Sequence, residues 1–340
     1  MHRNCQANQH LFALRVSMEN QIMRFVFVMD PLTRVTHDKD TSFAFIRAAQ
    51  ARGHQSFHCL PQDLHIDAGR ALATAHRMET LAEPPYIVLR KDEGAKRLAL
   101  HDVDAVFIRK DPPFDQAYLY ATLMLENARG GSLIINDPRG LRDANEKLYA
   151  MHFPEWTPKT LVTADRDMIH QFVLDVGGKG VIKPLDGAGG WGVMMLRSDD
   201  KNARAIVDML TGEGQRLAMV QAFLPAVSQG DKRIILLDGE PLGAILRVPR
   251  QDDLRSNIHV GGTVVPTEIT PRERELVRAI APRLRADGLV FVGLDVIGEH
   301  LTEVNVTSPT GIQELSRFTG TDQAVKVIEW VEKNGRQRGN

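Results

Sequence analysis

Several runs in this 340-residue chain place reactive residue types at spacings that suit chemistry. In IKPLDGAGGWGVMML, Lys183 stands on an incoming apolar run and precedes a loop containing Asp186, Gly187, Gly189, Gly190 and Gly192. Glycine lets backbone N–H groups approach an anion without a Cβ in the way, and a lysine ammonium supplies a compact positive charge for phosphate oxygens. The glycines match G-x-G-x-x-G, which marks a dinucleotide turn only where it opens a helix after a strand. Here apolar VMML follows, so the loop is expected to join two antiparallel strands and fold over phosphates as a flap. A Walker-type lysine would follow the glycines, and GGKG at 177–180 does not fit that pattern, which argues against a P-loop hydrolase. The plainer reading of the same residues is a solvated hairpin turn with a surface lysine.

A second constellation is rich in carboxylates. FVGLDVIG and LTEVNV read as adjacent strands, and a three-residue turn at Gly298 to His300 places Asp295 opposite Glu303, with Asn305 two residues along the same face. Facing like charges repel. A hard cation, Mg²⁺ or Mn²⁺, resolves that repulsion and takes oxygen ligands of this kind, whereas zinc prefers His and Cys. An edge hairpin with a solvated acidic face is the alternative. Between the two constellations, VQAFLP offers extended backbone at Gln221, Ala222 and Leu224, where a carbonyl and an N–H can read the edge of an adenine. Asp231 and Arg233 alternate onto one face and suit a ribose and an anionic group, or else a surface ion pair. The polar stretch RVPRQDDLRSNIHVGGTVVP, with Arg250, Arg255, Asn257, Gly261 and Gly262, is long enough to be a lid or a plain flexible loop.

These residues need a scaffold, and the chain reads as alternating strands and helices from Met23 onward. FVFVMD, SFHCLP, DAVFIRKD and SLIIND suggest strands, with helices at SFAFIRAAQARG and YLYATLMLENARG, a rhythm that predicts a parallel sheet with crossover helices. Helical stretches at LRDANEKLYAMHF and DRDMIHQFVLDV then surround a strand pair at TPKTLVTA, and a mixed α+β unit follows. PRERELVRAIAPRLRADG is a helix closed by Gly288, and TDQAVKVIEWVEKNG is the terminal helix.

Lys and Arg number 42 against 43 Asp and Glu, so the electrostatic footprint of a nucleic-acid or anionic-membrane binder is missing. No apolar run is long enough to span a bilayer, and Cys5 and Cys59 are too few for a disulfide framework, which suits a reducing, cytoplasmic compartment. Residues 1–22 are expected to be a disordered extension, because Arg15 interrupts the apolar stretch and no small-residue cleavage site follows.

Taken together, MDP after the first strand, KDTSFAF, RKDPPFD, LRDANEKL, IKPLDGAGG, GDKR, FVGLDVIG and LTEVNVTSPTGI resemble the bacterial glutathione synthetases of the ATP-grasp superfamily. The resemblance runs from about Met23 to about Glu332, and RKDPPFD with EVNVTSPTGI is its most specific part. It implies an α/β and α+β molecule: a Rossmann-like, parallel-sheet substrate domain at 23–143, a central ATP-grasp lid at 144–224, and a C-terminal ATP-grasp subdomain with the metal site at 225–334. By the same resemblance Lys147 and Lys183 are the phosphate lysines, Asp186 to Gly192 the small lid, and Gln221, Ala222 and Leu224 the adenine segment. Asp231 takes the ribose side, and Arg233 faces the reacting centre as a catalytic group beside Lys183. Asp295, Glu303 and Asn305 hold the metal. Lys39, Arg109, Arg255, Asn257, Gly261, Gly262, Ser308, Pro309 and Thr310 contact substrate. Trp191 and His259 depart from the small residues expected at lid positions.

The implied reaction uses ATP as co-substrate and joins γ-glutamylcysteine to glycine through an acyl phosphate, in a homotetramer. Another ATP-grasp peptide or amino-acid ligase would keep the lysines and metal ligands and alter RKDPPFD and TSPT. A non-enzymatic nucleotide-binding module would lack the lysines or the acidic residues.

Overall fold

The computed structural model describes residues 21–249 and 262–335. The first unit holds β1 (Arg24–Met29), α1 (Thr41–Ala51), β2 (Gln55–Cys59), β3 (Leu64–Asp67), β4 (Arg70–Thr80), β5 (Ile87–Leu89), β6 (Lys96–Ala99), β7 (Ala105–Arg109), α2 (Gln116–Leu125) and β8 (Leu133–Ile135). Phe25 to Met29, all buried behind an exposed Arg24, make β1 central, parallel to β2 on one side and β7 on the other, with β8 parallel beyond. That much matches the expected parallel sheet. The rest of the sheet does not, because β3, β5 and β6 all pair antiparallel to β4, and β4 is antiparallel to β2. The cause is local: β4 buries Ala71, Ala73 and Ala75 at period two, and a tight turn at Ala68–Gly69, both at positive φ, returns the chain without a crossover helix.

The middle of the chain holds α3 (Pro138–Asp143), β9 (Thr160–Thr163), α4 (Arg166–Asp175), β10 (Lys179–Pro184), β11 (Met194–Arg197), α5 (Ala203–Thr211) and β12 (Ala218–Ala222). Its sheet runs β11-β10-β12-β9 and is antiparallel throughout. It has a core of its own, built from Ile169, Val173, Ile182, Leu196, Val207, Leu210, Ala218 and Val220. Two expectations change here. The strand pair at TPKTLVTA is the single strand β9, and the helix expected over 141–153 is interrupted after Asp143. Asn145 ends it by accepting the N–H groups of Lys147 and Leu148 on its own side chain, and a short 3-10 turn at Tyr149–His152 follows.

The last unit contains β13 (Asp231–Leu237), β14 (Glu240–Val248), β15 (Thr263–Thr267), α6 (Pro271–Ala286), β16 (Phe291–Ile297), β17 (His300–Asn305), α7 (Ile312–Thr319) and α8 (Gln323–Gly335). Its antiparallel sheet has the order β15-β14-β13-β16-β17. α6 begins in a capping box between Thr270 and Glu273, and the chain leaves it through Gly288 at φ +68°. The first and last units share their apolar cores. One core joins Phe25, Phe27, Phe45 and Phe107 to Ile235, Ile245, Phe291 and α8; the other joins Val26, Ile108 and Ile134 to Ile234, Leu294 and Val304. The sheet of β9 to β12 with α4 and α5 thus keeps a core separate from those shared by the first and last units, whereas Leu141, Tyr149 and Trp156 pack into one of the shared cores.

Candidate active site

Strand register builds the acidic centre. β13 and β16 pair Arg233 with Asp295, and β13 and β14 pair Asp231 with Arg247. Arg233 grips Asp295 with both arms of its fork, Nε to Oδ1 at 2.6 Å and Nη2 to Oδ2 at 2.8 Å. Arg247 Nη2 bridges Asp231 and Asp295, at 2.9 Å from the latter. All four side chains are buried. Burying a charge is costly unless it is paired, and here two guanidiniums offset two carboxylates. Burial alone would raise the Asp295 carboxyl, but Arg233 and Arg247 hold it well below the usual range; burial pushes Asp231 up to about 7 against the pull of Arg247.

The Asp295–Glu303 pairing expected from the sequence is present, by a different route. Ile297 pairs with His300, so the turn is Gly298–Glu299 alone, and the missing residue is restored by a bulge beside Asp295. Thr302, the extra residue, donates its hydroxyl to the Asp295 carbonyl at 3.1 Å. Asn305 pairs with Gly293 and donates its amide nitrogen to that residue's carbonyl at 3.2 Å, which turns its oxygen end away from that bond. Glu303, Asn305 and Asp295 are oxygen donors of the type a hard cation takes. Among the described residues no three His, Cys, Asp or Glu side chains form a ready-made metal cage, so any cation here depends on Asn305 and on ligand oxygens as well.

Two lysines face these donors. Lys147, buried at the break after α3, lies with its Nζ 3.7 Å from Glu303 Oε1 and donates to the Gly187 carbonyl. Lys183 on β10 is 8% exposed; burial pushes its ammonium pKa down, opposed by Glu303 and reinforced by Lys147. The glycine loop joins antiparallel β10 and β11, as expected, and is anchored from below, since Asn145 donates to the Leu185 carbonyl at 3.0 Å. Gly187 is required by space: a Cβ there would lie 2.7 Å from Pro184 Cγ and 2.8 Å from the Trp191 carbonyl. Gly189 and Gly190 need their positive φ, Asp186 is exposed, and Trp191 stands out into solvent with 68% of its surface exposed.

Among the residues expected to contact substrate, Arg109 is buried at the end of β7 and reaches across to the last unit, with Nε on Ser42 Oγ at 3.1 Å and Nη2 on the Pro309 carbonyl at 3.0 Å. Arg233 Nη1 reaches the Thr310 carbonyl at 3.4 Å. The Ser308–Thr310 loop is thus held by two arginines from different units. Lys39 is not part of this cluster and stands exposed before α1, where its charge acts on Glu314. In the expected adenine segment, Gln221 is interior to β12 and its side chain donates to Thr160 Oγ1, while the Ala222 N–H is taken by the Lys159 carbonyl. The Phe223 N–H is likewise taken, by the Lys179 carbonyl at 3.2 Å, and Leu224 lies beyond the end of the strand. Arg250, Arg255, Asn257, His259 and Gly261 lie outside the described residues, as do residues 1–20; Gly262 is half-buried just before β15.

The sequence reading gave no role to Arg247, Glu146 or Asn136. Arg247 had a signal, a lone cation within the apolar alternation of β14. Glu146 accepts the N–H groups of Val306 and Thr307, and Asn136 bonds backbone groups of Val290, Phe291 and Val306; neither partner set is near in sequence.

Comparison with known proteins agrees with this architecture. Residues 23–142 match the family model of the prokaryotic glutathione synthetase N-terminal domain, and residues 146–320 that of the prokaryotic glutathione synthetase ATP-grasp domain. The chain is 45% identical over 323 residues to a glutathione synthetase of Nostoc sp., covering 92% of this chain and 98% of that one. It is 41% identical to a glutathione synthetase of Vibrio parahaemolyticus, with 92% and 98% covered. Among solved structures, D-cycloserine synthetase DcsG superposes with a TM-score of 0.63 at 14% identity over 90% of this chain and 99% of that one. Macrocyclase MdnC from Microcystis aeruginosa, with its precursor peptide, does so at 0.60 and 16% identity over 90% and 99%. Those two likenesses are of fold alone; the family models, one of them an ATP-grasp domain, and the matches along nearly the whole chain go further: the chain belongs to the prokaryotic glutathione synthetase family of ATP-grasp ligases.

Proposed function

We propose that the protein joins γ-glutamylcysteine to glycine with consumption of ATP, releasing ADP and phosphate. The observation that carries this reading is the match to glutathione synthetases along nearly the whole of both chains. The chemistry of the site supports it. A carboxylate does not acylate an amine at a useful rate, because oxide is a poor leaving group. A cysteinyl carboxylate oxygen attacks the γ-phosphorus, and the bond to the ADP oxygen breaks. The glycine amine then attacks the resulting acyl phosphate, phosphate leaves with the C–O bond's electrons, and the amine loses a proton.

Lys147 and Lys183 offset charge on the transferring phosphoryl group, and the glycine loop anchored on Lys147 shields it. Arg233 enters this scheme paired to Asp295, so it orients the carboxylate and the Thr310 carbonyl rather than acting as an unpaired cation. Arg109 sets the Pro309 carbonyl for the peptide substrate. Asp295, Glu303 and Asn305 would hold Mg²⁺ or Mn²⁺, whose chemistry is to neutralise phosphate charge and polarise the phosphorus. Cys59 takes no part: it is buried, and burial pushes its thiol pKa up. The resemblance adds a cytoplasmic homotetramer to this reading. Among the described residues no helix is long and apolar enough to cross a membrane.

The test is phosphate release with pairs of acceptor and donor, read together with the mass of the product. Turnover with γ-glutamylcysteine and glycine, abolished by chelator and restored by Mg²⁺, is the expected result. Turnover only with another amino-acid pair would move the protein to a different ATP-grasp ligase activity.

A further inference from the structure

Glu146 directly precedes Lys147 in the segment between α3 and the turn at Tyr149–His152. Its Oε1 accepts the Val306 N–H at 3.0 Å, the Thr307 N–H at 3.1 Å and the Thr307 hydroxyl at 2.8 Å. Its backbone carbonyl accepts the Val304 N–H at 2.9 Å. One residue therefore holds the chain on both sides of Asn305. From the other direction, Asn136 Nδ2 donates to the Val306 carbonyl at 2.7 Å. Burial raises the Glu146 carboxyl pKa, a measure of what withdrawing it from water costs, and three donors on one oxygen offset that cost.

The consequence is a direct mechanical tie. Lys147, next in the chain, has its ammonium 3.7 Å from Glu303, and Glu303 is next to Val304. The segment bearing a phosphate lysine and the strand bearing two oxygen donors are thus joined at neighbouring residues. We infer that Glu146 is a positioning residue whose carboxylate sets the spacing between the Lys147 ammonium and the oxygens of Glu303 and Asn305. Through Thr307 it also sets where the Ser308–Thr310 loop begins. A group that orients ligands without touching the cation is worth about 10–100-fold in metal affinity or activity. The inference rests on the proposed function only in requiring a nucleotide phosphate and a cation at these side chains.

The experiment compares Glu146→Ala and Glu146→Gln with the parent. It measures Mn²⁺ binding by electron paramagnetic resonance in the presence of ADP, ADP binding by calorimetry, melting temperature, and kcat and KM for ATP. Glu146→Ala should weaken Mn²⁺ binding and lower kcat by about 10–100-fold. Glu146→Gln keeps an acceptor oxygen for Val306 and Thr307 and should recover most of both. A folded Glu146→Ala protein that melts lower but binds Mn²⁺ and ADP like the parent would overturn the inference, since the role would then be purely structural. Equal impairment by Gln and Ala would also overturn it, because the negative charge rather than the acceptor geometry would be at work. If Glu146→Ala does not fold, Thr307→Val removes only the hydroxyl donor and should weaken Mn²⁺ binding by about 2–10-fold; parent-like binding in that variant refutes the tie. A parent that binds ADP and Mn²⁺ but ligates no γ-glutamylcysteine to glycine defeats the proposed function and leaves these binding readouts to judge Glu146 by themselves.

Discussion

Replacing Lys183 by methionine separates a charge kept for a ligand from a charge kept for the fold. Lys183 is 8% exposed at the end of β10; burial pushes its ammonium pKa down, and Lys147 pushes the same way against Glu303. The ligand-free protein therefore holds this cation at a cost. Methionine has a similar length and fills the same channel without a charge. Exchanging a buried charge for a well-packed apolar group is often neutral or stabilising by about 1–4 kcal/mol. The free variant should melt at the parent's temperature or above it. With ADP the balance reverses, because a charge-assisted hydrogen bond to phosphate contributes about 1.5–3 kcal/mol, or about 10–150-fold in affinity. Calorimetric titration with ADP and paired melting curves, with and without nucleotide, measure both halves. A variant that melts lower without ligand and binds ADP as tightly as the parent would place Lys183 among the structural side chains and refute this reasoning.

Asp295→Asn leaves Arg233 and Arg247 buried with one carboxylate fewer, and urea unfolding should show a loss of about 3–5 kcal/mol together with loss of turnover. Gly187→Ala must push Pro184 or the Trp191 carbonyl aside, so steady-state kinetics should show a raised KM for ATP and a lower kcat with little change in melting temperature. Glu332 ties α8 to the first unit through Arg52, at 2.7 and 2.8 Å, and His54, at 2.6 Å. The hydrogen bonds from Arg52, with those from His54, hold its carboxyl at about 2, below the ordinary 4.5. A depressed carboxylate stabilises the fold above its unfolded value and loses that contribution as pH falls through the folded one. Parent and Glu332→Gln should therefore differ by about 1–2 kcal/mol above pH 5, allowing for solvent on the pair's outer side. The difference should shrink between pH 4.5 and about 2 in acid unfolding followed by circular dichroism.

What the residues determine locally was readable without coordinates. The apolar run of β1, the helix α6 with its closing glycine, and the turn between two strands at Gly187–Gly192 all follow from patterns a few residues long. Even the facing of Asp295 and Glu303 was visible in strand alternation, although the residue count came out right for the wrong turn: a two-residue turn and a bulge replace a three-residue turn. The pattern along residues 64–99 misled because alternating alanines read weakly as a strand, so the antiparallel meander around β4 was missed. The strip from Ile312 to Thr319 was likewise not read as a helix; α7 lies with α8 against α1, and its buried side is set by that packing.

The pairing of charges was decided only by the tertiary structure. Asp231 and Arg233 alternate on one strand in any reading, but that they turn inward to Arg247 and Asp295 depends on the order β14-β13-β16, which brings together residues up to 64 positions apart. Arg109 meets Pro309, and Glu146 meets Thr307, across still longer separations. Spacing along a chain encodes which face a side chain occupies within its own element. Which element lies opposite is settled by how the three sheets bury their apolar faces, and that is why the reactive residue types were evident from the sequence while their partners were not.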